Sequence, residues 1–182
     1  MKLENTDSSP YNPMINAGAI VVASCLASEI SFDTMLDTIR ALCMDPDINL
    51  DKKVYHSEMS HISRNRAIAY LLESKGYIEK NKDVENSLHF YVKMCSLSVT
   101  AESLAGLGLI LANDGIHPDT GKRLLSSQAV KIVKTLMFTC GMYDGSGELR
   151  PGRHPIQKRR RRRYLISGRR RDGNRHLRTG VR

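Results

Sequence analysis

Five side chains in this sequence are of types, and at spacings, that could handle a small polar ligand. Glu58 and Asn65 stand seven residues apart, two helical turns, so one continuous helix would carry a carboxylate and a carboxamide on the same side. Such a pair could grip an ammonium group and a polar neighbour. With Arg64 and Arg66 beside them, the same residues also fit a solvated helix face. Asn16 lies just inside a helix start at Asn12-Pro13, where a carboxamide and the free N–H groups of a first turn suit an anionic ligand. An ordinary capped core helix carries the same signature. Tyr91 falls on an apolar stripe, the usual place of a core phenol with one satisfied hydroxyl. Tyr143 sits in Cys140-Gly141-Met142-Tyr143-Asp144-Gly145, a glycine-flanked loop that could hold a phenol at a cleft.

The elements that must position these groups read as helices. From Asn12-Pro13 the chain runs through Ala17, Gly18 and Ala19 into Ile20-Val21-Val22-Ala23, which leaves no polar face, so this helix is expected to be buried nearly all round. Ser31 or Asp33 can cap a second helix that Asp45-Pro46 closes, and Asp47 to Val54 reads as polar connection. The helix carrying Glu58 and Asn65 continues through Ala67, Ile68, Leu71 and Leu72 to a stop at Lys75-Gly76. From Asp83 another repeats Val84, Leu88, Tyr91 and Cys95. Ser98 or Thr100 opens a helix with a Leu104, Leu107, Leu111 stripe, in which Gly106 and Gly108 predict close packing. After Asn113-Asp114-Gly115 and a turn at His117–Gly121, Ser126 or Ser127 caps a sixth helix, with Ala129, Ile132, Val133 and Leu136 spaced for burial. Six helices and almost no alternating pattern make the body mainly α.

The totals sharpen this reading once they are divided along the chain. The net charge of +9 over 182 residues resembles a nucleic-acid signature. Yet residues 149–182 hold 13 Arg and Lys158 against the single acid Asp172, a balance of +13, and the first 148 residues are left at −4. The basic character belongs to the tail. Cys25, Cys43, Cys95 and Cys140 are far apart among apolar neighbours and read as buried free thiols of a reducing compartment. The longest low-polarity run, Ala17 to Ala27, is too short to span a bilayer, so no membrane association and a cytoplasmic location are expected.

Taken in order, NPMINAGAI (12–20), SEMSHISRNRAIAYLL (57–72), FYVKMCSLSVTAESLAGLGLILANDGIHP (90–118) and TCGMYDGSGE (139–148) resemble the successive motifs of the serine-dependent glutaminases. That resemblance implies hydrolysis of L-glutamine to L-glutamate and ammonia through an acyl-enzyme, without cofactor or metal, as part of glutamine catabolism. It implies a fold similar to the serine β-lactamases and DD-peptidases, of which residues 1–148 would supply the helical portion of the α/β architecture. Asn16 then matches the family's substrate-contacting Asn, Glu58 and Asn65 its amino-acid-binding acid and amide, and Tyr91 and Tyr143 its two active-site tyrosines. In those roles Glu58 faces the substrate ammonium, the amides face its carboxylate, and the phenols pass protons where nearby positive charge lowers their pKa. Intact members are expected to be homo-oligomers, dimers or a homotetramer.

Two departures stand out. The family nucleophile is the Ser of a Ser-x-x-Lys helix, whose Lys activates the hydroxyl. No Ser here has Lys three positions on, and Lys2-Leu3-Glu4-Asn5 resembles the family segment just past that helix, so Met1 is expected to be an internal start. The family also continues past its second tyrosine with a Lys-Ser-Gly-Val strand that helps form the oxyanion hole. A permitted codon set for Arg153–Ile166, read one base later, encodes GIPSKSGVGGGIL, and the same offset over Arg171–Val181 permits GMGIGTFGPAL. The sequence therefore divides into a glutaminase-like domain fragment, 1–148, and a disordered Arg-rich tail, 149–182, that resembles a frameshift. The chain alone is expected to be inactive. The alternative is a module that binds nucleic acid nonspecifically through Lys158–Arg163 and Arg169–Arg171.

Overall fold

Residues 13–140 are described in a computed structural model, together with the backbone of 156–159 and 163–166. In chain order the elements are α1 (Asn16–Glu29), α2 (Phe32–Cys43), β1 (Asn49–Leu50), α3 (Lys52–Ser60), α4 (Ser63–Ser74), α5 (Val84–Cys95), β2 (Leu97–Ser98), α6 (Ala101–Ala112), α7 (Ser127–Cys140), β3 (Ile156–Arg159) and β4 (Arg163–Ile166). Local capping chemistry sets most of the helix boundaries. Ser31 Oγ accepts from the Thr34 N–H, Asp51 Oδ1 from Lys53 and Val54, Asp83 Oδ1 from Asn86, and Ser126 Oγ from Ala129. Thr100 and Ser103 form a reciprocal capping box ahead of α6. The predicted stop at Gly76 is made in the left-handed region, at φ +79°, where a glycine carries no steric penalty.

Contacts divide the chain into two units. The first holds residues 1–37 and 48–98. In it α1 packs on α4 and α5, which also pack on each other, and α3 lies on α5. Its core gathers Ile20, Ile62, Ala69, Leu72, Ile78, Val84, Leu88 and Val92, and β1 pairs antiparallel with β2. The second unit holds residues 38–47 and 99–182. Cys43, Ile110, Leu111, Val130 and Met137 are buried within it, and Ser103 Oγ donates to Asp45 Oδ2 at 2.5 Å, joining the start of α6 to the turn that ends α2. Within the tail β3 and β4 pair antiparallel, Ile156 opposite Ile166 and Arg159 opposite Arg163. The sequence had suggested no element there. The described part is mainly helical, as expected.

Several expectations need correction. Pro13 and Met14 form a turn and α1 begins at Asn16, three residues after Pro13, because Ile15 is extended at φ −94° and ψ 160°; Asn12 lies outside the described residues. α1 is not buried all round. Ile20, Ala23 and Ser24 lie buried on one side, and Gly18 is buried near the start, whereas Val22 is 44% exposed and Cys25 is exposed. Cys95 is exposed too, so burial of all the thiols fails, although Cys43 is buried. Asp47 to Val54 is more than connection, since it contains β1 and the start of α3. The helix carrying Glu58 and Asn65 is broken into α3 and α4, making seven helices among the described residues. At the break Ser60 Oγ donates to the Ser57 carbonyl, which His61 Nδ1 also approaches at 2.9 Å, and Ile62 is drawn into the core at 3% exposure. Side chains bonding back to helix carbonyls, with an apolar anchor just beyond, accompany the end of α3 at Ser60.

On α7 the buried pair is Val130 and Met137, while Ile132 is 53% exposed. On α6 Ser103, Gly106, Gly108, Ile110 and Leu111 are buried, whereas Leu104 and Leu107 are half-buried. The reason is the close approach that the glycines predicted: a Cβ on Gly106 would overlap the Cys43 carbonyl oxygen. Backbone at that point cannot step aside. Gly106→Ala is therefore expected to destabilise the second unit by about 1–3 kcal/mol, seen as a lower urea midpoint by circular dichroism. An unchanged midpoint would show that α6 does not rest on the end of α2.

Candidate functional site

Four of the five predicted residues lie in the first unit, on four different helices: Asn16 on α1, Glu58 on α3, Asn65 on α4 and Tyr91 on α5. Tyr143 lies outside the described residues. Asn16 and Asn65, 49 positions apart in sequence, meet directly, with Asn16 Nδ2 donating to Asn65 Oδ1 at 3.1 Å. Both are half-buried. Asn16 is the first residue of α1, and the cap residue Ile15 has no side chain that could bond the helix N–H groups. The amide pair thus stands where the helix dipole is positive and amide hydrogens are in excess, a setting that favours a carboxylate. Because Asn65 uses its oxygen in the bond, its Nδ2 group is left as the donor.

Tyr91 is half-buried and packs against the core that holds Ile20 and Leu88. Glu58 is exposed near the end of α3, and the break at 61–62 puts it on a different helix from Asn65. Whatever relation the two residues have is set by helix packing, since no single helix aligns them.

Sequence reasoning missed what ties the Asn65 helix to the Tyr91 helix. Arg66, next to Asn65, donates from Nε to Glu85 Oε1 at 2.8 Å and from Nη2 to Oε2 at 3.0 Å, and the Tyr70 hydroxyl donates to Oε1 at 3.3 Å. This two-pronged bond links α4 to α5. Nothing local signals it, because Arg66 and Glu85 are 19 residues apart. The Arg66 guanidinium, as hydrogen-bond donor and as charge, holds the Glu85 carboxyl below its usual range, against the opposing effect of burial. Burial, followed by the Glu85 charge, pushes the Tyr70 phenol up.

A polar cleft of about 430 Å³ lies at the far end of α1 from Asn16, lined by residues that include Glu29, Glu79, Lys82, Asp83 and Asn86. Three carboxylates against one ammonium make it a poor seat for an amino acid's carboxylate, and none of the predicted site residues lines it. Among the described residues no single helix is long and apolar enough to cross a membrane. α1 and α2 together reach the length, but are bent by 113° at their break.

The Glutaminase family model matches residues 1–150. A glutaminase of Clostridium botulinum (strain Hall) is 47% identical over 151 residues, covering 81% of this chain and 49% of the relative. Glutaminase 2 of Clostridium perfringens is 44% identical over 142 residues, covering 76% and 46%. Among solved structures, a probable glutaminase of Bacillus subtilis superposes with a TM-score of 0.76 at 36% identity over 86% of this chain and 51% of that one. Its complex with 6-diazo-5-oxo-L-norleucine gives 0.78 at 34% identity, over 88% and 53%. The chain belongs to the glutaminase family, and its described body is the helical portion of that family's serine β-lactamase-like fold. It spans about half the length of the curated relatives it matches.

The Arg66–Glu85 link carries a pH signature. A carboxylate whose folded pKa lies below its unfolded value of about 4.5 stabilises the fold above that pH and loses this contribution as pH falls through the folded value. The two side chains are 42% and 38% exposed, so solvent screening keeps the effect small. The urea midpoint is expected to drop on acidification below pH 4.5, and Glu85→Gln to drop less steeply. Identical slopes for the two proteins would show that Glu85 takes no part.

Proposed function

We propose that this chain carries the substrate-binding part of a glutaminase that hydrolyses L-glutamine to L-glutamate and ammonia. The observation that supports this most directly is the amide pair of Asn16 and Asn65 at the positive end of α1. On this reading Asn65 Nδ2 and Asn16 Nδ2 donate to the substrate carboxylate, and Glu58 takes the ammonium. Tyr91 and Tyr143 move protons between the attacking hydroxyl and the departing ammonia. The side-chain amide carbon is attacked by a serine oxygen, ammonia leaves, and water cleaves the resulting ester, a sequence that needs no cofactor. A solved Bacillus subtilis glutaminase is a covalent complex with 5-oxo-L-norleucine, formed by its reaction with 6-diazo-5-oxo-L-norleucine. That ligand keeps the α-amino acid end of glutamine, the end that Asn16, Asn65 and Glu58 are proposed to hold.

Turnover then needs a Ser-x-x-Lys segment that these 182 residues do not contain. The whole enzyme is proposed to act in the cytoplasm, in glutamine catabolism, as a homo-oligomer. The family match ends at residue 150, ahead of the Arg-rich run, which fits a domain over 1–148 followed by an out-of-frame stretch.

The purified chain is expected to release no ammonia from L-glutamine, yet to bind L-glutamate with shifts of the Asn16 and Asn65 side-chain amide signals in nuclear magnetic resonance spectra. Asn65→Ala should abolish those shifts. Ammonia release that Tyr143→Phe eliminates would overturn the expected inactivity, and shifts that survive Asn65→Ala would overturn the assigned site.

A further inference from the structure

The helix that bears Glu58 is weakly held by apolar contact. α3 is nine residues long and none of its side chains is fully buried; Tyr55 and Met59 are the partly buried hydrophobics that it packs on the core. A backbone bond from the Asp51 N–H to the Ser96 carbonyl, at 2.9 Å, ties its cap to the end of α5, and within the helix the Tyr55 hydroxyl and His89 Nδ1 are hydrogen-bonded at 2.6 Å. The Tyr55 ring is held from two sides, with its centroid 5.4 Å from that of His56, edge-on, and 6.2 Å from that of His89. Tyr55 precedes Glu58 by three residues, so both side chains project from neighbouring positions on one side of α3. His89 lies two residues before Tyr91 on α5.

Apolar packing on so short a helix tolerates sliding and rotation about its axis, whereas a hydrogen bond between fixed rings does not. We infer that the Tyr55–His89 pair positions Glu58, fixing the turn of α3 on α5 so that the carboxylate faces the substrate ammonium. This rests on the proposed function, in which Glu58 reads that ammonium. Neither residue is among those assigned to the ligand, and both act through Glu58 as positioning residues. Their signature is a change in what Glu58 recognises, with the amide pair's grip on the carboxylate left intact.

Glutarate, which is L-glutamate without its α-amine, separates the two effects. Dissociation constants for both ligands are measured on the full chain and its variants by isothermal titration calorimetry. The unaltered chain is expected to prefer L-glutamate, and Glu58→Gln to lose that preference. Tyr55→Phe keeps the ring and removes the hydroxyl. It should cut the preference about fivefold, the usual worth of one hydrogen bond, while glutarate affinity stays put. His89→Leu should act in the same way. His89→Asn, which places a polar atom near the lost Nδ1, should restore the preference. If the unaltered chain binds both ligands equally, or Glu58→Gln keeps the preference, the assigned role of Glu58 fails and this inference falls with it. If Glu58→Gln loses the preference but Tyr55→Phe keeps it, or Tyr55→Phe weakens both ligands alike, the positioning role alone is overturned.

Discussion

The seating of α1 against α4 and α5 is the constraint on which the first unit depends. Ile20 from α1, Ala69 from α4 and Leu88 from α5 are each 0% exposed, so each helix gives the other two a side chain withdrawn from water. Burying Ile20 and Leu88 is worth about 1.5–3 kcal/mol apiece, more than any single polar contact nearby. Beside Ile20, α1 presents the small residues Ala23 and Ser24 on its buried side. Wherever α1 is seated, its first turn follows, and with it Asn16. The amide pair at 3.1 Å is therefore a consequence of apolar packing, made by the helix that the core holds most firmly.

Polar contacts do a different job in the same unit. Hydrophobic burial is non-directional and sets which faces meet, while hydrogen bonds between elements choose one alignment among the nearly equivalent ones. Arg66 and Glu85 align α4 on α5 at the level of Asn65, and Tyr55 and His89 align α3 on α5. Both ties end on α5, the helix that carries Tyr91 and touches the other three. That α5 is the common support accounts for its mixed surface: Leu88 and Val92 face the core, while Glu85 and His89, four residues apart, face partners on α4 and α3.

Seen from the sequence, these roles divided unevenly. The helical class, the helix start at Asp83, the stop at Gly76 and the close packing at Gly106 were all legible, because each depends on a residue's own backbone preference or on neighbours within a turn. The sides of α6 and α7 were misjudged. A stripe of leucines marks where a helix could be buried, but Gly106 against the Cys43 carbonyl decided where α6 is. The candidate residues were legible only as types. Glu58 and Asn65 looked like one face of one helix, and the break at His61 and Ile62 separated them.

The sequence by itself determined the helices, most of their ends and the family to which the motifs in residues 1–150 belong, since local backbone chemistry and motif order are written along the chain. Only the tertiary structure decided that Asn16 meets Asn65 across 49 positions, that Arg66 grips Glu85, and that Tyr55 rests on His89. Contacts between distant residues follow from how several apolar faces are buried at once, and no single segment contains that information.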